Sequence, residues 1–232
     1  LKAVNMALEL NSKNFDSLNS KCLILEDLNQ YKDAIECYDE IIKLNPRKKK
    51  SWLNKGVFLS RINNNKEALD CFEKVLELDK KHINTWYFKG ITLVKLKEWE
   101  EALKCFEKVI KLDRKNIEAW YFKGICLAEL EKYDEALTYF SEVIELDPQF
   151  DAAFASKAVT LNILGESQKA LEFINTALEL DPNDIGALCN KGIILKDLNE
   201  VQEALDVFDK VLEMDPDFEL AKEEKEEILG KP

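Results

Sequence analysis

The sequence predicts an all-α fold in which antiparallel helix pairs are stacked in an array with a period of 34 residues. Segments that begin at Trp52, Trp86 and Trp120 align with one another at this spacing. Leu, Lys, Glu and Ala dominate the composition, whereas only 7 Gly and 5 Pro are present, a balance that favours helices over β-turns. A hydrophobic content of 46% is enough for a folded chain. Together, these observations predict a helical array.

The repeats can be numbered from position 1 to position 34 if the first full repeat begins at Phe15. The whole chain, 1–232, is then a single solenoid with full repeats at 15–48, 49–82, 83–116, 117–150, 151–184 and 185–218. Residues 1–14 correspond to the second helix of a truncated repeat, and residues 219–232 are expected to form a C-terminal capping helix. Because the sequence begins at Leu1 and not at Met, we expect further residues upstream.

Each repeat position has its own chemistry. Position 4 is large and apolar, position 8 is small, position 11 is Leu, position 20 is Ala and position 24 is bulky, as in Trp120, Gly124, Leu127, Ala136 and Phe140. Positions 4, 8 and 11 share one face of a first helix, and positions 20 and 24 share one face of a second helix. Small residues at positions 8 and 20 allow the two backbones to approach, while the bulky residues fill the surrounding space. Pro at position 32 of four repeats favours a break before the next helix.

This pattern of Trp, Gly, Leu, Ala, Phe and Pro at positions 4, 8, 11, 20, 24 and 32 resembles the tetratricopeptide repeat. The resemblance covers residues 15–218 and implies a right-handed superhelical solenoid whose concave face is lined mainly by the first helix of each repeat. Most relatives bind peptides or other protein segments on that face. The resemblance therefore implies a non-catalytic scaffold for protein–protein interactions.

The resemblance also implies that positions 2, 5, 9, 12 and sometimes 6 face the concave groove. These positions are apolar in the middle repeats, and monomeric proteins rarely expose a large apolar patch without a use. We expect the groove to bind an amphipathic helix or an extended apolar segment. The alternative is that adjacent repeats bury most of this stripe. The candidate groove residues are Asn54, Val57, Tyr87, Phe88, Ile91, Val94, Tyr121, Phe122, Ile125, Val159, Asn190 and Ile193.

Two series of basic residues recur along the chain. The first is a secondary basic edge in the turns, which either attracts an acidic segment or is simply solvated. It consists of Arg47, Lys48, Lys49, Lys50, Lys80, Lys81, Arg114 and Lys115. The second is Lys at position 7 of every full repeat and again at Lys225. This ladder could bind an anion, but lysine stems can also cover apolar surface, and we favour the structural interpretation.

Catalytic and metal-binding chemistry is not indicated. The single histidine, His82, falls in a turn, and the glycines at position 8 lie inside helices, unlike a phosphate-binding loop. Cys37, Cys71 and Cys105 occupy position 23 of successive repeats, too far apart for a disulfide or a zinc site between them, so we expect small buried thiols. We therefore predict no catalytic residue, no metal and no cofactor.

The composition also restricts the class of partner. A net charge of -12 argues against nucleic acid, and no apolar stretch is long enough to span a membrane. We expect a cytoplasmic protein with a protein or peptide partner. The alternative function is self-association, or spacing within a larger polypeptide, with the half repeat at 1–14 acting as the contact through Leu1, Val4 and Leu8.

Overall fold

The structure is a computed structural model that describes residues 15–230. These residues form helices only, without a strand, which confirms the predicted fold class. The predicted half repeat at 1–14, with Leu1, Val4 and Leu8, lies outside the described residues, as do the last two residues of the predicted cap. The helices are α1 (Phe15–Asp27), α2 (Tyr31–Leu44), α3 (Lys49–Arg61), α4 (Asn65–Leu78), α5 (Ile83–Lys95), α6 (Trp99–Leu112), α7 (Ile117–Glu129), α8 (Tyr133–Leu146), α9 (Asp151–Ile163), α10 (Ser167–Leu180), α11 (Ile185–Asp197), α12 (Val201–Met214) and α13 (Glu219–Ile228).

The chain divides into two compact units. The N-terminal unit is Leu1–Asp113 and the C-terminal unit is Arg114–Pro232. In the N-terminal unit the helices pack as the pairs α1 with α2, α3 with α4 and α5 with α6. In the C-terminal unit the pairs are α7 with α8, α9 with α10 and α11 with α12, and α13 packs against α12. Among residues 15–230, each unit therefore contributes three helix pairs.

The contact between the two helices of a pair is built from position 8 and position 24. A Cβ atom placed on Gly124 would lie 2.7 Å from Cε1 of Phe140, and the same arrangement joins Gly56 to Phe72. The phenylalanine rings at position 24 are fully buried. The glycines thus leave room for an aromatic ring against the helix backbone, which confirms the predicted close approach.

The turns are stabilised by backbone conformation and by hydrogen bonds between residues close in sequence. Position 15, just after each first helix, has a positive φ, and the next amide closes the helix end, as when Lys132 N donates to the carbonyl of Leu127 over 2.9 Å. After the second helix, an Asp or Asn at position 31 accepts a bond from the amide two residues later, as Asp79 does from Lys81 over 3.0 Å. Asn and Gly suit the left-handed position in most repeats, although Lys97 and Glu131 also adopt it.

The tryptophans at position 4 are only partly buried, whereas Leu18 and Leu188 at the same position are buried. Each indole Nε1 donates a hydrogen bond to the backbone carbonyl six residues earlier, in the preceding turn. The pairs are Trp52 with Pro46 at 2.8 Å, Trp86 with Lys80 at 2.9 Å and Trp120 with Arg114 at 3.0 Å. These tryptophans join a turn to a helix in addition to packing between helices.

The prediction that Cys37 is a free buried thiol is wrong, because the structure joins Cys37 to Cys22 in a disulfide with a Cα–Cα distance of 5.7 Å. Position 23 of a second helix faces position 8 of the first helix, and the first repeat has cysteine at both positions. The cysteines at position 23 alone do not indicate this bond, because its other half lies at position 8. Cys71 and Cys105 are buried free thiols, and burial raises the pKa of each to about 11, so neither is reactive at neutral pH.

Candidate binding grooves

A groove of about 540 Å³ lies on the N-terminal unit, on the face shared by the first helices α1, α3 and α5. The structure brings three of the predicted residues together in its lining, namely Asn54, Val57 and Phe88. Leu23 and Leu53 add apolar surface, and Leu23 is 54% exposed. Leu23 is at position 9 and Leu53 at position 5, which are predicted groove positions, although neither leucine is among the predicted groove residues.

A buried carboxylate forms part of the lining of this N-terminal groove. The Glu26 side chain is 4% exposed, accepts a hydrogen bond from the Tyr38 hydroxyl, and forms an ion pair with Arg61 at 3.0 Å. Burial and this hydrogen bond raise the pKa of Tyr38 above its usual range. A buried carboxylate requires such partners, and the pairing holds the mostly exposed Arg61 on the groove surface.

A second groove, of about 410 Å³, lies on the C-terminal unit and spans α7, α9 and α11. Its lining brings the predicted residues Ile125, Val159 and Asn190 together. Ile163 also lines the groove and is 56% exposed, although position 13 is not one of the predicted groove positions and is charged in the other full repeats. We call the apolar side chains of Ile125, Val159 and Ile163 the floor of this groove; the polar side chains of Ser156, Thr160 and Asn190 share the lining.

The remaining predicted residues lie on the same helices but outside the linings of these two grooves. They are Tyr87, Ile91, Val94, Tyr121, Phe122 and Ile193, and all are partly buried. Packing within each unit accounts for their position: the Tyr87 ring, for example, lies 6.3 Å from the ring of the buried Phe106.

Tyr121 packs against other aromatic rings and also contacts a residue of the C-terminal groove lining. Its ring lies 5.1 Å from the ring of Phe150 and 6.1 Å from that of Phe140, and its hydroxyl is 3.2 Å from Oγ of Ser156, which lines the groove. Burial raises the pKa of the Tyr121 hydroxyl. A substitution at Tyr121 would change the packing beneath the groove, so it cannot report on binding alone.

Several lysines at position 7 contact other side chains of the same chain. Lys55 forms an ion pair with Asp39 at 2.6 Å and is buried, and Lys157 donates to Oγ of Ser141 at 2.9 Å. Lys89 with Glu73 and Lys225 with Asp209 make the same kind of contact, in each case with position 25 of the preceding repeat. These contacts favour a structural role over anion binding for Lys55, Lys89, Lys157 and Lys225, each of which links a first helix to the second helix of the preceding repeat.

Two residues of the predicted basic edge make contacts with other side chains. Lys48 lies over the ring of Phe15 at 3.9 Å, and Lys49 pairs with Asp79 at 2.6 Å, which lowers the pKa of that carboxyl group. The other members are exposed; they are Arg47, Lys50, Lys80 and Lys81 in the N-terminal unit and Arg114 and Lys115 in the C-terminal unit.

Within residues 15–230, no group of three or more His, Cys, Asp and Glu side chains is arranged to hold a metal ion. In the same range, no helix combines the length and the apolar character needed to cross a membrane.

Repeated helix pairs with apolar grooves on their first helices define an all-α repeat module. The chain belongs to the tetratricopeptide repeat family: models of that repeat match residues 127–185 and 186–218, and the model of anaphase-promoting complex, cyclosome, subunit 3 matches residues 27–109 and 63–143. Membership of this family indicates a scaffold for protein–protein interactions. A search of curated proteins found no match.

Solved structures share the fold. YrrB, described as a TPR protein with an unusual peptide-binding site, is 28% identical, with a TM-score of 0.62 over 83% of this chain and 99% of YrrB. A tetratricopeptide repeat protein from Parabacteroides merdae is 17% identical, with a TM-score of 0.78 over 98% of this chain and 90% of its own. A chain of the APC/C hetero-tetramer Cut9–Hcn1 is 13% identical, with a TM-score of 0.79 over 97% of this chain and 45% of its own. The last two likenesses concern the fold alone.

Proposed function

We propose that the protein is a non-catalytic scaffold that binds a peptide or helical segment of a partner protein in the grooves on its first helices. One observation carries this proposal: in each unit, apolar side chains from successive first helices line a groove and remain partly exposed. Burial of exposed apolar surface stabilises a complex by roughly 25 cal/mol for each Å² removed from water. The grooves therefore offer a source of affinity that the folded chain has not used.

Polar groups beside the apolar side chains of each groove can form hydrogen bonds with the main chain of a peptide. Asn54 in the N-terminal groove and Asn190 in the C-terminal groove are both partly buried at position 6. Each carboxamide can donate to a peptide carbonyl and accept from a peptide amide. Support from outside the chain comes from YrrB, whose similarity extends over nearly its whole length and which is described as having a peptide-binding site.

The test begins with peptides selected from a random display library on the purified protein. We expect Ile163→Ser to weaken peptides that bind the C-terminal groove by about 30-fold, since truncation of a buried apolar anchor typically costs about 2 kcal/mol. Leu23→Ser is the equivalent change in the N-terminal groove. Because both side chains are more than half exposed in the free protein, thermal stability should change little. Fluorescence anisotropy and thermal melting measure the two effects.

Leu146→Ser is the matched control, because Leu146 is 53% exposed at the end of α8 and lies outside the groove linings. It should leave the affinity of every selected peptide unchanged. If the selected peptides bind Leu23→Ser and Ile163→Ser as tightly as the original protein, or lose as much affinity to Leu146→Ser, the grooves are not the binding surface.

Other parts of the function remain predictions of the sequence. These are the absence of catalysis, the exclusion of nucleic acid and membrane as partners, and the cytoplasmic location. The basic edge from Arg47 to Lys115 is the next surface to mutate if the grooves fail the test.

A further inference from the structure

The C-terminal groove has a distinct charge. The charged side chains in its lining are Glu129, at the end of α7, and Glu131, in the turn that follows. Both are exposed, and within the described part of the chain neither forms an ion pair. The two carboxylates therefore stand beside the apolar floor without a neutralising cation.

The N-terminal groove differs in this respect. Its lining contains both signs of charge, with Lys50 and Arg61 accompanying Asp16 and Glu26. Arg61 and Glu26 also neutralise each other through their ion pair. An excess of negative charge is thus a property of the C-terminal groove and not of the groove positions in general.

The apolar and acidic parts of the C-terminal groove lie close together. Ile125, Val159 and the half-exposed Ile163 share one lining with Glu129 and Glu131. A segment that places apolar side chains on this floor would bring its neighbouring side chains to the two carboxylates. A cation there would gain electrostatic attraction, and because the carboxylates remain exposed, pairing would not require their full desolvation.

We propose that the C-terminal groove binds a basic amphipathic segment of a partner protein, one whose apolar side chains occupy the floor and whose Lys or Arg side chains pair with Glu129 and Glu131. This inference rests on the proposed function and adds the charge of the partner. The same carboxylates repel an acidic segment, so they select between partners of equal hydrophobicity.

The test uses three synthetic peptides of about 16 residues, long enough to form helix when bound. The first has leucines on one helical face and lysines on the other, the second replaces the lysines with glutamates, and the third is a scrambled form of the first. We expect the lysine peptide to bind the protein about fivefold to tenfold more tightly than the glutamate peptide, as one or two exposed ion pairs would give. The advantage should shrink as salt is added.

The decisive variant is Glu129→Gln with Glu131→Asn. Asn is chosen because Asn29, Asn63 and Asn199 hold the corresponding positive-φ position in other repeats. Since this protein has a net charge of -12, any cationic peptide is attracted to some degree. The matched control is therefore Glu142→Gln with Glu179→Gln, which removes two exposed charges outside the groove lining. The groove variant should lose the preference for lysine, and the control should keep it.

Each outcome has a separate meaning. If both amphipathic peptides bind equally and Ile163→Ser weakens both, the groove binds peptides but the inference about charge is overturned. If the lysine peptide binds but Ile163→Ser has no effect, or the scrambled peptide binds as well, the inference about the C-terminal groove is overturned. The proposed function fails with it only if Leu23→Ser, in the N-terminal groove, also has no effect. Equal loss of lysine preference in the groove variant and the control also overturns the inference, as does an absence of binding by all three peptides.

Discussion

Replacement of Phe72 by alanine is expected to lower the free energy of unfolding by about 3 to 5 kcal/mol. The Phe72 side chain is 0% exposed, and its ring fills the space in front of Gly56 between α3 and α4. Alanine would leave a cavity between two helix backbones that other core contacts hold in place. Urea denaturation followed by circular dichroism measures the change.

Phe88→Ala is the comparison within the same unit. Phe88 is partly exposed and lines the N-terminal groove, so we expect less than about half the loss of stability, because less apolar surface is removed from the core. If Phe88→Ala destabilises the protein as much as Phe72→Ala does, Phe88 belongs to the core, and the apolar surface assigned to the N-terminal groove is correspondingly smaller.

Gly124→Leu is expected to cost about 1 to 3 kcal/mol of stability, through overpacking. Even a Cβ atom at this position would lie 2.7 Å from the Phe140 ring, and the ring is fully buried and cannot swing into solvent. The measurement is the urea midpoint at constant m-value. A neutral result would mean that α7 and α8 do not approach as closely as the structure shows.

The fifth repeat suggests a sharper version of this experiment. There, position 8 is Ala158 and position 24 is Ile174, and both belong to one buried cluster. A cycle that combines Gly124→Ala with Phe140→Ile would copy this pair into the fourth repeat. We expect a favourable coupling of about 1 kcal/mol, because the methyl group clashes with phenylalanine but fits beside isoleucine. Additive effects of the two changes would contradict the contact between positions 8 and 24.

Much of the fold could be predicted from the sequence because the same contact between two helices recurs in several repeats. Gly124 and Phe140 are one example of a pair that recurs at Gly56 with Phe72 and at Gly192 with Phe208. A single column could be accidental, but repetition at a fixed spacing identifies the two faces that meet. The disulfide of Cys22 could not be predicted in this way, because it occurs in one repeat only and joins position 8 to position 23.

The grooves could be predicted only in part. Val57 and Val159 were found because one helical face remained apolar after the core face had been assigned. Ile163 was missed because position 13 is not one of the predicted groove positions, and the exposure of a residue depends on the spacing of adjacent helices, which helical periodicity does not report. Tyr121 lies on the predicted face, yet its ring contacts Phe150, which precedes the next first helix along the chain.

The most direct test of groove binding is a methyl NMR titration of the protein with a selected peptide that loses affinity for Ile163→Ser. The largest shifts are expected at the methyl groups of Ile125, Val159 and Ile163, which line the C-terminal groove. The exposed methyl groups of Leu146 and the buried ones of Ile174 should change little. Shifts concentrated at Leu146, or at any surface away from the groove, would contradict the proposal that the first helices of the C-terminal unit form a peptide-binding surface.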